Sequence, residues 1–136
     1  MRAIDHIVIH HSASPLWTTW EHIDRWHRAP PNNYARIGYH FVIDQTGYVN
    51  WCRDPQRIGA HAYPHNRRSL GICVVGDNTT IDQRWVEQQI VSLRVLASLC
   101  TSRFTDAVVL GHRDVPDTAT ECPGLDVRAL LGLDPL

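Results

Sequence analysis

Apolar positions in this chain fall into short β-branched runs and one long stripe of helical period, and that alternation predicts its elements. His6-Ile7-Val8-Ile9-His10-His11 is an apolar run ending in histidines, which predicts a central strand; Ser12 to Pro15 breaks it. Thr18 or Thr19 can cap a helix through Trp20, Ile23, Trp26 and His27, with 20, 23 and 26 as its apolar face. After the loop Ala29 to Asn33, the strand Gly38–Asp44, the turn Gln45-Thr46-Gly47 and the returning strand Tyr48–Cys52 predict a β-hairpin. Asp54 to Arg68 is polar and lacks a period, so it reads as loop, and Ser69–Gly76 as a further buried strand closed by glycine. Val86, Ile90, Leu93, Ala97 and Cys100 recur at steps of four, three, four and three. That spacing predicts a helix from near Asp82 to around Thr101 and puts Cys100 in the core. Ala107–Leu110 is a last strand, and Asp126 caps a short helix through Leu131 that Gly132 ends. The order β-α-β-β-β-α-β-α implies an α/β fold: a mixed sheet of about five strands with helices on its faces.

At 136 residues the chain reads as a single domain, 1–136, with enough length to bury a core without staples. Its 43% hydrophobic and 20% charged residues are those of a soluble globular protein. No apolar run approaches the roughly 20 residues that cross a bilayer. Met1-Arg2-Ala3 is followed by Asp5 and His6 rather than the apolar core of a signal peptide, so synthesis in the cytoplasm is expected. Net charge is −1, all the positive charge is arginine, and no cluster exceeds Arg67-Arg68, so a nucleic-acid partner is not expected. The nine histidines are several times ordinary usage and raise the prospect of a metal or proton-transfer site. Cys52, Cys73, Cys100 and Cys122 form no C-x-x-C pair, which excludes a zinc ribbon or a thioredoxin motif and leaves reduced cysteines as the expectation.

Chemistry concentrates after the last strand. The segment from Gly111 to Gly124 is a Pro- and Gly-punctuated loop at a strand end, where a rigid scaffold displays functional groups. His112 and Cys122 within it are residue types that bind zinc as imidazole and thiolate. A catalytic zinc needs a third protein ligand, and His10 and His11 stand at another strand end. Parity puts one of them on each face of the sheet, and spacing alone does not choose between them.

Six motifs then occur in one order: Val8-Ile9-His10-His11-Ser12-Ala13, Gly38-Tyr39-His40-Phe41, Gly59-Ala60-His61-Ala62, Leu70 to Gly76, Gly111-His112-Arg113-Asp114-Val115 and Thr120-Glu121-Cys122-Pro123-Gly124. Together they resemble the zinc-dependent N-acetylmuramoyl-L-alanine amidases of the type 2 family, which includes phage amidases and the peptidoglycan recognition proteins. The resemblance implies that fold, and one Zn²⁺ per chain held by His10, His112 and Cys122, with His11 a variable neighbour. It places Tyr39 on the family's catalytic tyrosine. It places Thr120 where phage members often carry lysine and the recognition branch carries threonine; this chain contains no lysine. His61 matches a recurring histidine at the substrate groove and is either a proton donor to the leaving amine or a structural residue, while Trp17, Arg36 and Asn66 are read as contacts to sugar or stem peptide.

The implied substrate is bacterial peptidoglycan and the implied reaction is hydrolysis of the amide between N-acetylmuramic acid and L-alanine. The expected role is that of a monomeric phage endolysin reaching the wall through a pore made by another protein. A cytoplasmic amidase recycling muropeptides and a non-catalytic peptidoglycan receptor on the same fold are the alternatives. Receptors of this kind typically lose the cysteine ligand, and Cys122 is present.

Overall fold

A computed structural model describes every residue from Met1 to Leu136. Its elements are β1 (His6–His11), α1 (Trp20–Arg28), β2 (Phe41–Ile43), β3 (Val49–Trp51), β4 (Ser69–Val74), α2 (Glu87–Arg103), β5 (Val108–Gly111) and α3 (Val127–Leu130), in the predicted order. One five-stranded sheet runs β3-β2-β4-β1-β5. The pairs β2–β4, β4–β1 and β1–β5 are parallel, and only the hairpin pair β2–β3 is antiparallel, so the sheet is mixed. Lying inside the sheet and covered on both faces, β1 and β4 read as continuous apolar runs rather than alternating ones.

Side-chain parity sorts the core into two layers. Ile7, Ile9, Leu70, Ile72 and Val74 point to one face, where Leu93, Leu96, Ala97 and Cys100 of α2 and Val127 of α3 cover them. On the other face Val42, Cys73 and Val75 pack against Ile23 of α1, and Val8 and Leu110 meet Ala62 and Val115 from the loops. Cys100 is buried, as its helical spacing predicts. Thr19, not Thr18, caps α1: its backbone N–H and side chain exchange bonds with His22. Of the predicted apolar face of α1, Ile23 is buried and Trp20 packs against the core, whereas Trp26 stays 45% exposed.

The main helix starts later than its period suggests. Ile81–Gln83 forms a separate 3₁₀ turn, and Trp85 turns inward to donate its indole N–H to the Val74 carbonyl (3.1 Å) before α2 begins at Glu87. Gln89 secures that start. Fully buried, it accepts from the Val86 N–H (3.0 Å) and donates to the carbonyls of Val75 (2.8 Å) and Ile43 (3.4 Å), which lie at the ends of two strands. Replacing it with leucine leaves the Val86 N–H and the Val75 carbonyl unpaired, at about 1–3 kcal/mol for each unsatisfied group, while the Ile43 carbonyl keeps the Val75 N–H. Gln89→Leu is therefore expected to lower the urea midpoint clearly, while exposed Glu87→Ala on the same turn should not; equal midpoints for the two variants would refute the assignment.

Candidate metal centre and active site

The register between β1 and β5 builds half of the site. Val8 lies opposite Leu110 and Ile9 opposite Gly111. Two residues beyond Val8 and Leu110 on the same face come His10 and His112, whose ring centroids are 4.6 Å apart. His11 points the other way: its Nδ1 accepts the Asn78 backbone N–H (3.2 Å) and lies 3.8 Å from the Asp77 carboxylate. Pairing register thus separates the two histidines that spacing left equivalent, with His10 and not His11 on the face of His112.

Cys122 arrives from the loop after β5. The Arg113 N–H donates to the Cys122 carbonyl (2.7 Å), the Gly124 N–H to the Glu121 carbonyl (2.7 Å), and buried Asn78 donates its amide to the Pro123 carbonyl (2.9 Å). These bonds fold the loop back over the strand ends and bring Cys122 Sγ to 3.8 Å from His10 Nδ1. One ligand atom from each of His10, His112 and Cys122 lies within 4.8 Å of the others. Two imidazoles and a thiol at that spacing suit a metal with bonds of about 2.0–2.3 Å and a position left open, which is the donor chemistry of zinc.

The local electrostatics agree with that fit. Burial, reinforced by the neighbouring His61 and His112, holds His10 well below the usual imidazole range, and burial lowers His112 as well. Both rings are therefore neutral near neutral pH, the form that offers a lone pair to a metal. Burial pushes the Cys122 thiol up to about 11, against the opposing pull of its hydrogen bond to the His11 carbonyl. A bound cation would expel that proton, since a coordinating thiol is deprotonated outright.

Tyr39 and Thr120 line the same cleft as His10, His112 and Cys122. The Tyr39 ring lies 4.9 Å from His10 and 5.2 Å from His27, and it packs against the core layer under α1. Burial, with the Cys73 and Cys122 thiols nearby, raises its phenol well above the usual range, so it stands as a protonated donor. Thr120 is exposed, and its Oγ1 accepts from the Cys122 N–H (3.2 Å), which leaves the hydroxyl proton free to point away.

The remaining predicted residues are placed differently. His61 borders the cleft, but its Nδ1 is 2.9 Å from His10 Nε2. Asn66 lies beneath it, and its side-chain oxygen accepts from the backbone N–H groups of His61 (2.9 Å) and Ala62 (2.7 Å). Trp17 is 61% exposed and meets His22 edge-on, and Arg36 is exposed with its carbonyl accepting from Arg53; neither lines the cleft. A larger apolar groove runs over the opposite face beside Val91, Val95 and Leu99, and it contains none of the histidines. Sequence reasoning missed Asn78, which joins β1, the Cys122 loop and Trp85 through three hydrogen bonds. It also missed His27, whose Nδ1 fixes the Gly38 N–H (2.9 Å) next to Tyr39.

Comparison with known proteins meets this geometry. Residues 1–125 match the Amidase_2 family, described as N-acetylmuramoyl-L-alanine amidase. The chain is 33% identical over 109 residues to the endolysin of Escherichia phage T7, covering 78% of this chain and 70% of that protein. It is 31% identical over 134 residues to peptidoglycan-recognition protein SC2 of Drosophila melanogaster, covering 91% and 70% of the two chains. Among solved structures, the Ph2119 endolysin of a Thermus scotoductus bacteriophage superposes with a TM-score of 0.86 at 26% identity, over 97% of this chain and 84% of that one. The chain belongs to the N-acetylmuramoyl-L-alanine amidase family, and its activity is that of an amidase.

Proposed function

We propose that this protein is a zinc-dependent peptidoglycan amidase of the endolysin type, in which His10, His112 and Cys122 hold one zinc ion and Tyr39 and Thr120 act on the substrate. The observation that carries the reading is the convergence of those three donors from separate parts of the chain beside a protonated tyrosine. The likeness to phage endolysins supports a lytic role on the wall. From that same likeness we infer that the protein reaches the wall through a pore made by another protein. One copy contains every group of the proposed site, which supports a single-domain enzyme acting as a monomer.

Zinc held there supplies Lewis acidity, which acidifies water toward neutrality and polarises the amide carbonyl. The chain's own groups do the rest. Tyr39, kept protonated by burial, donates a hydrogen bond to the carbonyl oxygen of the muramoyl amide as it gains negative charge. Thr120 adds a second, neutral donor at the rim, its lone pair already committed to the Cys122 N–H. Water adds across the amide and the C–N bond breaks, giving a lactyl carboxylate on the sugar and a free amine on L-alanine.

Mass spectrometry of digested peptidoglycan tests the reading directly. The expected product carries a new amino terminus on L-alanine with the glycan strands intact. New reducing sugar ends, or cleavage within the stem peptide, would overturn the bond assignment. Metal analysis should find about one zinc per chain, the number one set of three ligands holds. Dialysis against a chelator should abolish lysis and added zinc should restore it.

A further inference from the structure

His61 is built into the protein with unusual care for a residue at a cleft margin. Its ring lies flat over Gly71, where a Cβ would come within 2.7–2.8 Å of three ring atoms. Gly59 closes on it from another side, since a Cβ there would stand 2.9 Å from both the His61 and His40 rings. Only residues without a side chain leave that slot open. The backbone is fixed as well: Asn66 takes the N–H groups of His61 and Ala62 on one oxygen. The Gly71 N–H is held in turn by His40 Nδ1 (3.0 Å), so the floor of the slot is itself pinned.

All of this serves one polar contact. The Nδ1 of His61 meets His10 Nε2 at 2.9 Å, and this is the only side-chain hydrogen bond His61 makes; its Nε2 is buried without a protein partner. The rings are perpendicular, with centroids 5.0 Å apart, so the His61 lone pair can lie in the plane of the His10 ring. The opposite edge of that ring carries Nδ1, 3.8 Å from Cys122 Sγ. A neutral imidazole has one proton, and whichever nitrogen donates leaves the other free as a ligand.

We propose that His61 is the positioning residue of the metal centre: by accepting the Nε2–H of His10 it holds that ring in the orientation and tautomer whose Nδ1 faces Cys122 and His112. The assignment rests on His10 being a metal ligand, and it removes His61 from the substrate contacts. Outer partners of this kind change metal affinity by about 10–100-fold when lost.

The test measures zinc affinity by competition with a chromophoric chelator, independently of lysis. His61→Leu fills the slot without an acceptor and is expected to weaken zinc by about 10–100-fold. His61→Asn, whose amide oxygen can stand near the place of Nδ1, is expected to recover most of that loss. ¹⁵N NMR of the zinc-loaded wild type should show His10 protonated on Nε2, with that proton protected from exchange. This measurement needs no variant and holds even if His61→Leu fails to fold. Unchanged affinity in a folded His61→Leu, or His10 protonated on Nδ1 in the zinc-loaded protein, overturns the proposal while leaving the amidase reading intact. A wild type that binds no zinc overturns the ligand assignment on which both depend.

Discussion

His10→Ala is expected to lose zinc and lytic activity together, whereas His11→Ala, one residue away, is expected to keep both. The two side chains leave β1 on opposite faces. His10 is 2% exposed and shares its face with His112 and Cys122. His11 instead accepts from the Asn78 N–H and faces Asp77. Without the His10 donor the ion is held by two ligands, too few for a catalytic zinc site. Water that is not acidified then keeps a pKa of about 15.7 instead of about 7, so a loss of at least about 10³-fold in lysis is expected. His11→Ala leaves the buried Asn78 N–H without its acceptor and should cost about 1–3 kcal/mol of stability. Metal content and turbidity clearance of purified walls, measured on both variants, decide the matter. If His11→Ala emptied the site and His10→Ala did not, the face assignment would be wrong.

The second large effect belongs to Tyr39. Tyr39→Phe keeps the ring between His10 and His27, so the packing, the fold and the zinc content should survive. Only the phenolic proton is removed, and loss of one donor to a developing oxyanion typically costs about 10²–10³ in rate. Turnover should fall by that amount with one zinc per chain still bound. A rate equal to wild type would exclude a catalytic part for the hydroxyl, and a drop accompanied by zinc loss would make the residue structural.

The parts of this molecule that were legible in its sequence are those fixed by local pattern. Short apolar β-branched runs marked the strands, the four-three-four-three spacing marked α2 and the burial of Cys100, and Asp126 and one of the pair Thr18 and Thr19 marked helix starts. What local pattern does not contain is register. Nothing near His10 says that Val8 will lie beside Leu110, a residue far along the chain, and that pairing puts His10 rather than His11 beside His112. Asn78 was hidden for the same reason, because its three partners come from three different segments. The start of α2 was misplaced because a buried tryptophan bonding to the sheet outweighed the helical preference of the residues around it. His61 and Asn66 were noticed as residues, but their protein neighbours were not legible in advance: one contacts His10 and the other the backbone of a loop.

The position of β1 between β4 and β5 bears on how the protein is made. During synthesis β1 emerges well before both of its sheet neighbours, β4 and β5. Contacts this distant in sequence close slowly, because the loop entropy must be lost before the pairing is gained. The three donors stand at positions 10, 112 and 122. The three side chains therefore come together only after Cys122 has been added and the sheet has closed around its first strand. The proposed metal site forms late, in the same event that closes the sheet around its first strand.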